Sequence, residues 1–113
     1  MPKQGELVLI PVPFTDLSSQ KRRPVIVISN DRYHRTSSDM VVVAMTSNPT
    51  VTPYSFTITS TDLIAGSLNR PGIVRVDKLY TLASSLILKT FGRVSGATLE
   101  RIRKLFNDLT DTQ

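Results

Sequence analysis

The sequence contains no cysteine, no tryptophan and a single histidine among its 113 residues. Without cysteine there is no disulfide framework and no thiolate metal site, which suits a reducing compartment. One imidazole, that of His34, cannot build a metal cluster, and neither a cysteine nor a paired carboxylate stands by to recruit it for acid–base work. Within Asp31-Arg32-Tyr33-His34-Arg35 it reads as a solvated loop residue. Long apolar runs are missing too. The longest, Met40 to Met45, falls far short of the roughly 20 residues of a membrane span, and Met1 to Glu6 carries no apolar signal core. No Gly-x-Gly-x-x-Gly and no phosphate-cradling Gly-Lys-Ser/Thr loop occurs, so no nucleotide cofactor is indicated. Together these absences predict a soluble cytoplasmic protein with no membrane association, no metal and no cofactor.

What the chain does have is basic charge. Lysine and arginine number 14 against 9 acidic residues, for a formal net charge of +5 and an isoelectric point of about 10.0. That excess fits nucleic acid, an acidic protein tail or a membrane surface, without choosing among them. The length predicts one domain over residues 1–113, enough for a single core.

Hydrophobic patterning predicts mostly strands. Leu7 to Ile10 reads as a first strand closed by Pro11 and Pro13, and Thr15 to Arg23 as polar and turn-like. Val25 to Ile28 and Met40 to Met45 are apolar at every position, the mark of strands covered on both faces. Asn30 to Asp39 reads as a polar loop between them. Tyr54, Phe56 and Ile58 alternate with Ser55, Thr57 and Thr59, predicting a half-exposed strand. Ser60 to Arg70 is expected to hold one short helical turn, with further strands at Ile73 to Leu79 and Leu86 to Val94. The period then changes. Leu99, Ile102, Leu105, Phe106 and Leu109 recur at helical spacing behind Ser95, a suitable N-cap, while Arg101, Arg103 and Lys104 lie off that stripe. Six or so short strands and one terminal helix predict a small, strongly bent antiparallel barrel.

Three clusters could carry chemistry. Lys21, Arg22 and Arg23 precede Pro24, which restricts the backbone of Arg23 to extended conformations. A guanidinium on that platform can offer a directed fork of donors to a phosphate, or simply form an exposed basic turn. Thr46, Ser47 and Asn48 sit where a buried strand emerges; they can donate to anionic oxygens or cap a turn. Arg75 and Asp77 are two apart in a strand and so share a face. They can bind a phosphodiester and orient a hydroxyl, or form a surface ion pair of little consequence.

Taken together, the clusters resemble a known arrangement. The segment GELVLIPVPFTDLSSQKRRPVIVISND, then VVVAMTSN at Val41 to Asn48, then GIVRVD at Gly72 to Asp77 resemble, in order and spacing, the landmarks of the MazF/PemK/Kid family. These are the toxins of bacterial toxin–antitoxin pairs. The resemblance implies an SH3-like small antiparallel β-barrel, mainly β with a C-terminal helix and akin to CcdB and PemK. It further implies a homodimer and a metal-independent, sequence-selective endoribonuclease acting on single-stranded RNA such as mRNA. In that pattern the catalytic arginine falls on Arg23 and the strand-end threonine on Thr46. Lys21, Arg22, Ser47, Arg75 and Asp77 fall in substrate-binding or auxiliary positions. The expected partners are RNA and a cognate antitoxin with a flexible acidic segment. The first loop departs from the pattern: TDLSSQK has none of the Gly, His or Glu that some members carry there. Arginine is a poor base, with a pKa above about 12, which makes Asp77 the chemically easier one. Other readings are a CcdB-like toxin that binds DNA gyrase without cleaving anything, and an inert binding barrel. The CcdB pattern relies on a C-terminal tryptophan, and this chain has none.

Overall fold

The structure, a computed structural model, describes residues 1–12, 21–50 and 52–112. The expected close of the first strand at Pro13 and most of the expected turn over residues 15–23 lie outside those bounds. The elements run β1 (Glu6–Val12), β2 (Lys21–Val27), α1 (Asp31–Thr36), β3 (Asp39–Thr46), β4 (Ser55–Ile58), β5 (Leu63–Gly66), β6 (Gly72–Ala83), β7 (Lys89–Val94) and α2 (Gly96–Thr110). All strand pairs are antiparallel. The seven strands form one curled sheet in the order β4-β6-β3-β2-β1-β7-β5. The expected class, mainly antiparallel β with a C-terminal helix, is the one observed.

The sheet is apolar on both faces. Leu7, Ile26, Val43, Met45, Val74 and Val94 pack on one side with Ile102 of α2. Val8, Ile10, Val25, Val27, Met40 and Val42 pack on the other, under Tyr80, Leu82 and Ile87. Consecutive residues of β2 and β3 therefore feed two layers, which is why both strands read as unbroken apolar runs. Helix α2 is capped as its sequence predicts: the Ser95 side chain accepts from the Thr98 N–H at 3.2 Å. The helix buries Thr98 and Ile102, and half-buries Leu99, Leu105 and Phe106. Off this stripe, the Arg101 guanidinium lies 4.3 Å from the centroid of the Phe56 ring, tying helix to sheet by a cation–π contact.

β1 runs through Pro11, which pairs with Arg22, so the strand does not close there as expected. Four further expectations need correcting. β2 begins at Lys21, so the basic triplet lies within a strand and not in a turn. The span from Ser60 to Arg70 holds the expected short helical turn, a 3₁₀ turn at Ser60–Asp62, but also a strand that was not expected, β5. β4 is less exposed than its alternation suggested, because Ser55 is buried beside Phe56. Its hydroxyl bonds the Thr52 backbone, donating to the carbonyl at 2.8 Å and accepting from the N–H at 2.7 Å, which satisfies the polar group inside.

The fourth correction concerns His34. The expected loop contains α1, capped by Asn30, whose side chain accepts from the Tyr33 N–H at 2.9 Å. The helix turns His34 inward to 4% exposure. Its Nε2 shares a 2.6 Å hydrogen bond with the Ser29 hydroxyl, and that oxygen also accepts from the Val41 N–H at 2.9 Å. The imidazole thus helps fasten α1 and the end of β2 to β3. Replacing His34 by alanine leaves a cavity and a Ser29 hydroxyl short of its partner, so stability should fall by about 1–3 kcal/mol. Urea denaturation measures this, and an unchanged midpoint would assign the residue no structural role.

Candidate active site

A proline shapes the surface around the basic triplet. The β2–β3 ladder pairs Val27 with Val42, Ile26 with Val43 and Val25 with Ala44, and then stops at Pro24. Proline has no N–H to donate, so it cannot continue a ladder on that side. On its other side β2 stays paired with β1 as far as Lys21. The strand is thus held rigid while its β3 side opens. Continuing the register by two residues sets Arg23 across from Thr46, and alternation puts both side chains on the Val25–Ala44 face. Thr46 is fixed from the far side by its pairing with Ile73 of β6.

Two clefts meet at this pair. One, of about 470 Å³, has a floor of Ile10, Val25 and Ala44 beneath Arg23, Thr46, Asn48, Arg75, Lys78 and Tyr80. The other, of about 630 Å³, has Leu9, Pro24, Met45 and Phe91 in its floor, with Lys21, Arg22, Arg23, Ser47 and Arg70 around it. Arg23, Met45 and Thr46 belong to both. Among the described residues, no carboxylate lines either cleft. Alternation along β2 splits the triplet, so that Arg22 leaves the strand on the opposite side from Arg23. Both arginines are exposed.

The Thr46 hydroxyl settles a choice left open by its sequence. Its oxygen accepts from the Asn48 N–H at 3.1 Å, so it does cap the turn. A hydroxyl has one proton besides its lone pairs, and that proton remains available to donate. Turn capping therefore orients the donor and does not consume it.

Arg75 and Asp77 do share a face, and they are joined. Arg75 Nε and Nη2 donate to the two carboxylate oxygens at 2.9 and 2.8 Å. Three residues of β6, Val76 to Lys78, have no partner on β3, because Val43 pairs with Leu79 while Ala44 pairs with Arg75. The bend brings Arg75 and Lys78 to the rim of the first cleft; Asp77 lines neither cleft. Hydrogen bonds from Arg75 hold the Asp77 carboxyl below its ordinary value, against the opposing effect of burial. The same bonds push Arg75 further up. A carboxyl lowered in the folded state adds stability above its unfolded pKa of about 4, and that stability is lost as pH falls through the depressed folded value. The contribution is small, because the two side chains are 24% and 32% exposed.

Of the eight residues singled out in the sequence, Arg23 and Thr46 line both clefts, Lys21, Arg22 and Ser47 join the second, and Asn48 and Arg75 join the first. Asp77 lines neither and is bonded to Arg75. Sequence reasoning missed Lys78 and Tyr80, which reach the site through the β6 bend, and Asn69 and Arg70, which lie in the loop before β6. One signal for Arg70 was present: Arg70-Pro71 repeats the Arg23-Pro24 dipeptide.

The family model of the PemK-like, MazF-like toxins of type II toxin–antitoxin systems matches residues 3–109. The chain belongs to this family. Among solved structures the fold is similar to that of a MazE–MazF complex from Deinococcus radiodurans, with TM-score 0.77 and 24% identity over 96% of this chain and 94% of the other. It is also similar to the Mycobacterium tuberculosis toxin MazF-mt6, with TM-score 0.73 and 15% identity over 96% and 98% of the two chains. A third similar structure is an endoribonuclease in complex with its cognate antitoxin from a mycobacterial species, with TM-score 0.72 and 20% identity over 96% and 93%. No protein of curated function matches the sequence. At these identities the solved structures speak for the fold, and family membership rests on the sequence model. Within the described residues no helix is long and apolar enough to cross a membrane.

Proposed function

We propose that this MazF-like toxin is a metal-independent endoribonuclease that cuts single-stranded RNA between Arg23 and Thr46. The observation that carries the reading is that those two side chains line both clefts beyond the end of the β2–β3 ladder, on a cationic surface free of carboxylates among the described residues. RNA supplies its own nucleophile. The 2′-oxygen forms a bond to the adjacent phosphorus as the bond from phosphorus to the 5′-oxygen breaks, leaving a 2′,3′-cyclic phosphate and a 5′-hydroxyl. The 2′-hydroxyl proton passes to a base, and the departing 5′-oxygen takes a proton from an acid. Charge that develops on the phosphoryl oxygens is met by the Arg23 fork and the Thr46 hydroxyl, with Arg75 and Lys78 at the rim. On this reading those donors carry the charge stabilisation.

Asp77 fits poorly as the base, because its tie to Arg75 lowers its affinity for a proton. We assign it the positioning of Arg75. Asp77→Asn should then slow cleavage by no more than about tenfold, with the loss in KM more than in kcat. A kcat loss within the range of about 10²–10⁴ would make Asp77 the general base instead.

We further propose a cytoplasmic homodimer that binds RNA across its symmetric surface, with an antitoxin whose flexible acidic segment competes for the same cationic clefts. The net charge of +5 supports that pairing. The test incubates folded protein with end-labelled single-stranded RNA in EDTA. Discrete fragments are expected, and they should disappear when the antitoxin is added. RNA that stays intact at stoichiometric protein would refute the activity.

A further inference from the structure

We propose that the second cleft is a subsite for an unpaired nucleobase flanking the cut, and that Arg70, with Asn69 beside it, reads the edge of that base. The proposal rests on the endoribonuclease reading and adds to it a place where sequence selectivity arises.

The first observation is the cleft's composition. A site for phosphate alone needs donors and charge. This one has those in Lys21, Arg22 and Arg70, but it also has an apolar floor that includes Leu9, Pro24, Pro71 and Phe91. Flat apolar surface beneath cations is what a base needs when it stacks while its phosphate is held at the rim. The volume, about 630 Å³, is ample for one nucleotide unit and falls within the usual range for small-molecule sites of about 300–1,000 Å³.

The second observation is rigidity. Asn69 and Arg70 are exposed, yet the loop that carries them is pinned at both ends. The Ser60 hydroxyl donates to the Leu68 carbonyl at 3.2 Å and accepts from the Leu68 N–H at 2.8 Å. Beyond the tip, Gly72 pairs with Ile58 and lies so close to Met45 that an added Cβ would stand 2.6 Å from the Met45 Cε. Pro71 restricts the backbone of Arg70 to extended conformations, as Pro24 does for Arg23. Such a fixed tip can discriminate between bases, whereas a mobile one would follow any of them.

The third observation is availability. Among the described residues Arg70 makes no ion pair and no hydrogen bond, in contrast to Arg75, which is committed to Asp77. Arginine offers donors only. Of the four RNA bases, guanine presents two adjacent acceptors, O6 and N7, that match a guanidinium fork. The Asn69 amide can both donate and accept, and so complements whichever edge atoms remain.

The test compares wild type with Arg70→Ala and Asn69→Ala. Both substitutions fall in an exposed loop and leave the core untouched. Each protein is given an RNA pool randomised around the cut, and its affinity for short 2′-O-methyl oligonucleotides with and without guanine is measured separately. The wild type should prefer guanine at one position beside the cut, and Arg70→Ala should reduce that preference about five- to hundredfold while preferences elsewhere remain. Flanking preferences that all survive Arg70→Ala would overturn the subsite. A preference for another base that Arg70→Ala relaxes equally would keep the subsite and overturn the guanine match. If wild type cuts no RNA but binds the guanine oligonucleotide at least about fivefold more tightly than Arg70→Ala does, the subsite stands and the endoribonuclease reading falls. If wild type and variant bind all oligonucleotides alike, or not at all, the subsite is refuted whatever the cleavage result.

Discussion

Replacing Arg23 by alanine should lower the rate of RNA cleavage by about two to three orders of magnitude, the usual cost of removing one preorganised donor from a developing oxyanion. The effect should fall on kcat, because the donor matters most when charge accumulates on the phosphoryl oxygens. Folding should survive. Arg23 is exposed, and the strand around it is held by the β1 ladder and by the buried side chains of Val25, Ile26 and Val27. Arg23→Lys separates charge from geometry: it keeps the cation and loses the planar fork, so a rate between those of alanine and wild type is expected. Thr46→Ala should cost less than Arg23→Ala, since it removes a neutral donor, although it also removes the cap on the Asn48 N–H. Single-turnover cleavage beside a thermal melt of each variant checks the whole series. Near-normal cleavage by a folded Arg23→Ala protein would move the site elsewhere.

The largest effect on stability is expected from Gly66→Ala, at more than about 2 kcal/mol. Gly66 ends β5 with a φ of +77°, in the left-handed region that L side chains avoid. Space is closed as well: an added Cβ would lie 2.3 Å from the Phe91 carbonyl oxygen and 2.8 Å from the Gly92 Cα. Both are backbone atoms of β7, which cannot swing aside as a side-chain tip can. Relief requires β5 to part from β7, and with it the start of the loop that carries Asn69 and Arg70. A two-state urea titration should show the loss, and relaxed base selectivity should accompany it in whatever protein stays folded. An unchanged unfolding midpoint would contradict the close approach.

Legibility in the sequence followed the length and periodicity of each element. α2 was readable because its apolar stripe recurs over several turns behind a serine cap. β2 and β3 were readable as apolar runs, since each feeds two buried layers. α1 was not: at six residues it spans less than two full turns, too few to show a period, and its signals were only Asn30 as cap and Asp31 in the first turn. With α1 went His34, whose burial depends on the way that helix packs on β3. The site was legible as residue types and not as an arrangement. Arg23 and Thr46 could be named from their places beside Pro24 and at a strand end. What sets them opposite each other is the register between β2 and β3, carried past the stop of the ladder at Pro24, which neither residue's local sequence shows. Asp77 reads from the sequence as an easier base than arginine, and only the structure shows the bidentate link to Arg75 that holds its pKa down. For Arg70 the sequence offers only its Arg-Pro dipeptide, because nothing local places the loop before β6 beside the start of β2.

Attack by the RNA's own 2′-hydroxyl at the Arg23–Thr46 pair is tested most directly with two RNAs of the same sequence, one with a single 2′-deoxynucleotide at the cut site, both incubated in EDTA. The all-ribose RNA should be cut to a fragment ending in a 2′,3′-cyclic phosphate and a fragment starting with a 5′-hydroxyl, while the deoxy-substituted RNA should stay intact at that position. Equal cutting of the two RNAs would contradict the mechanism.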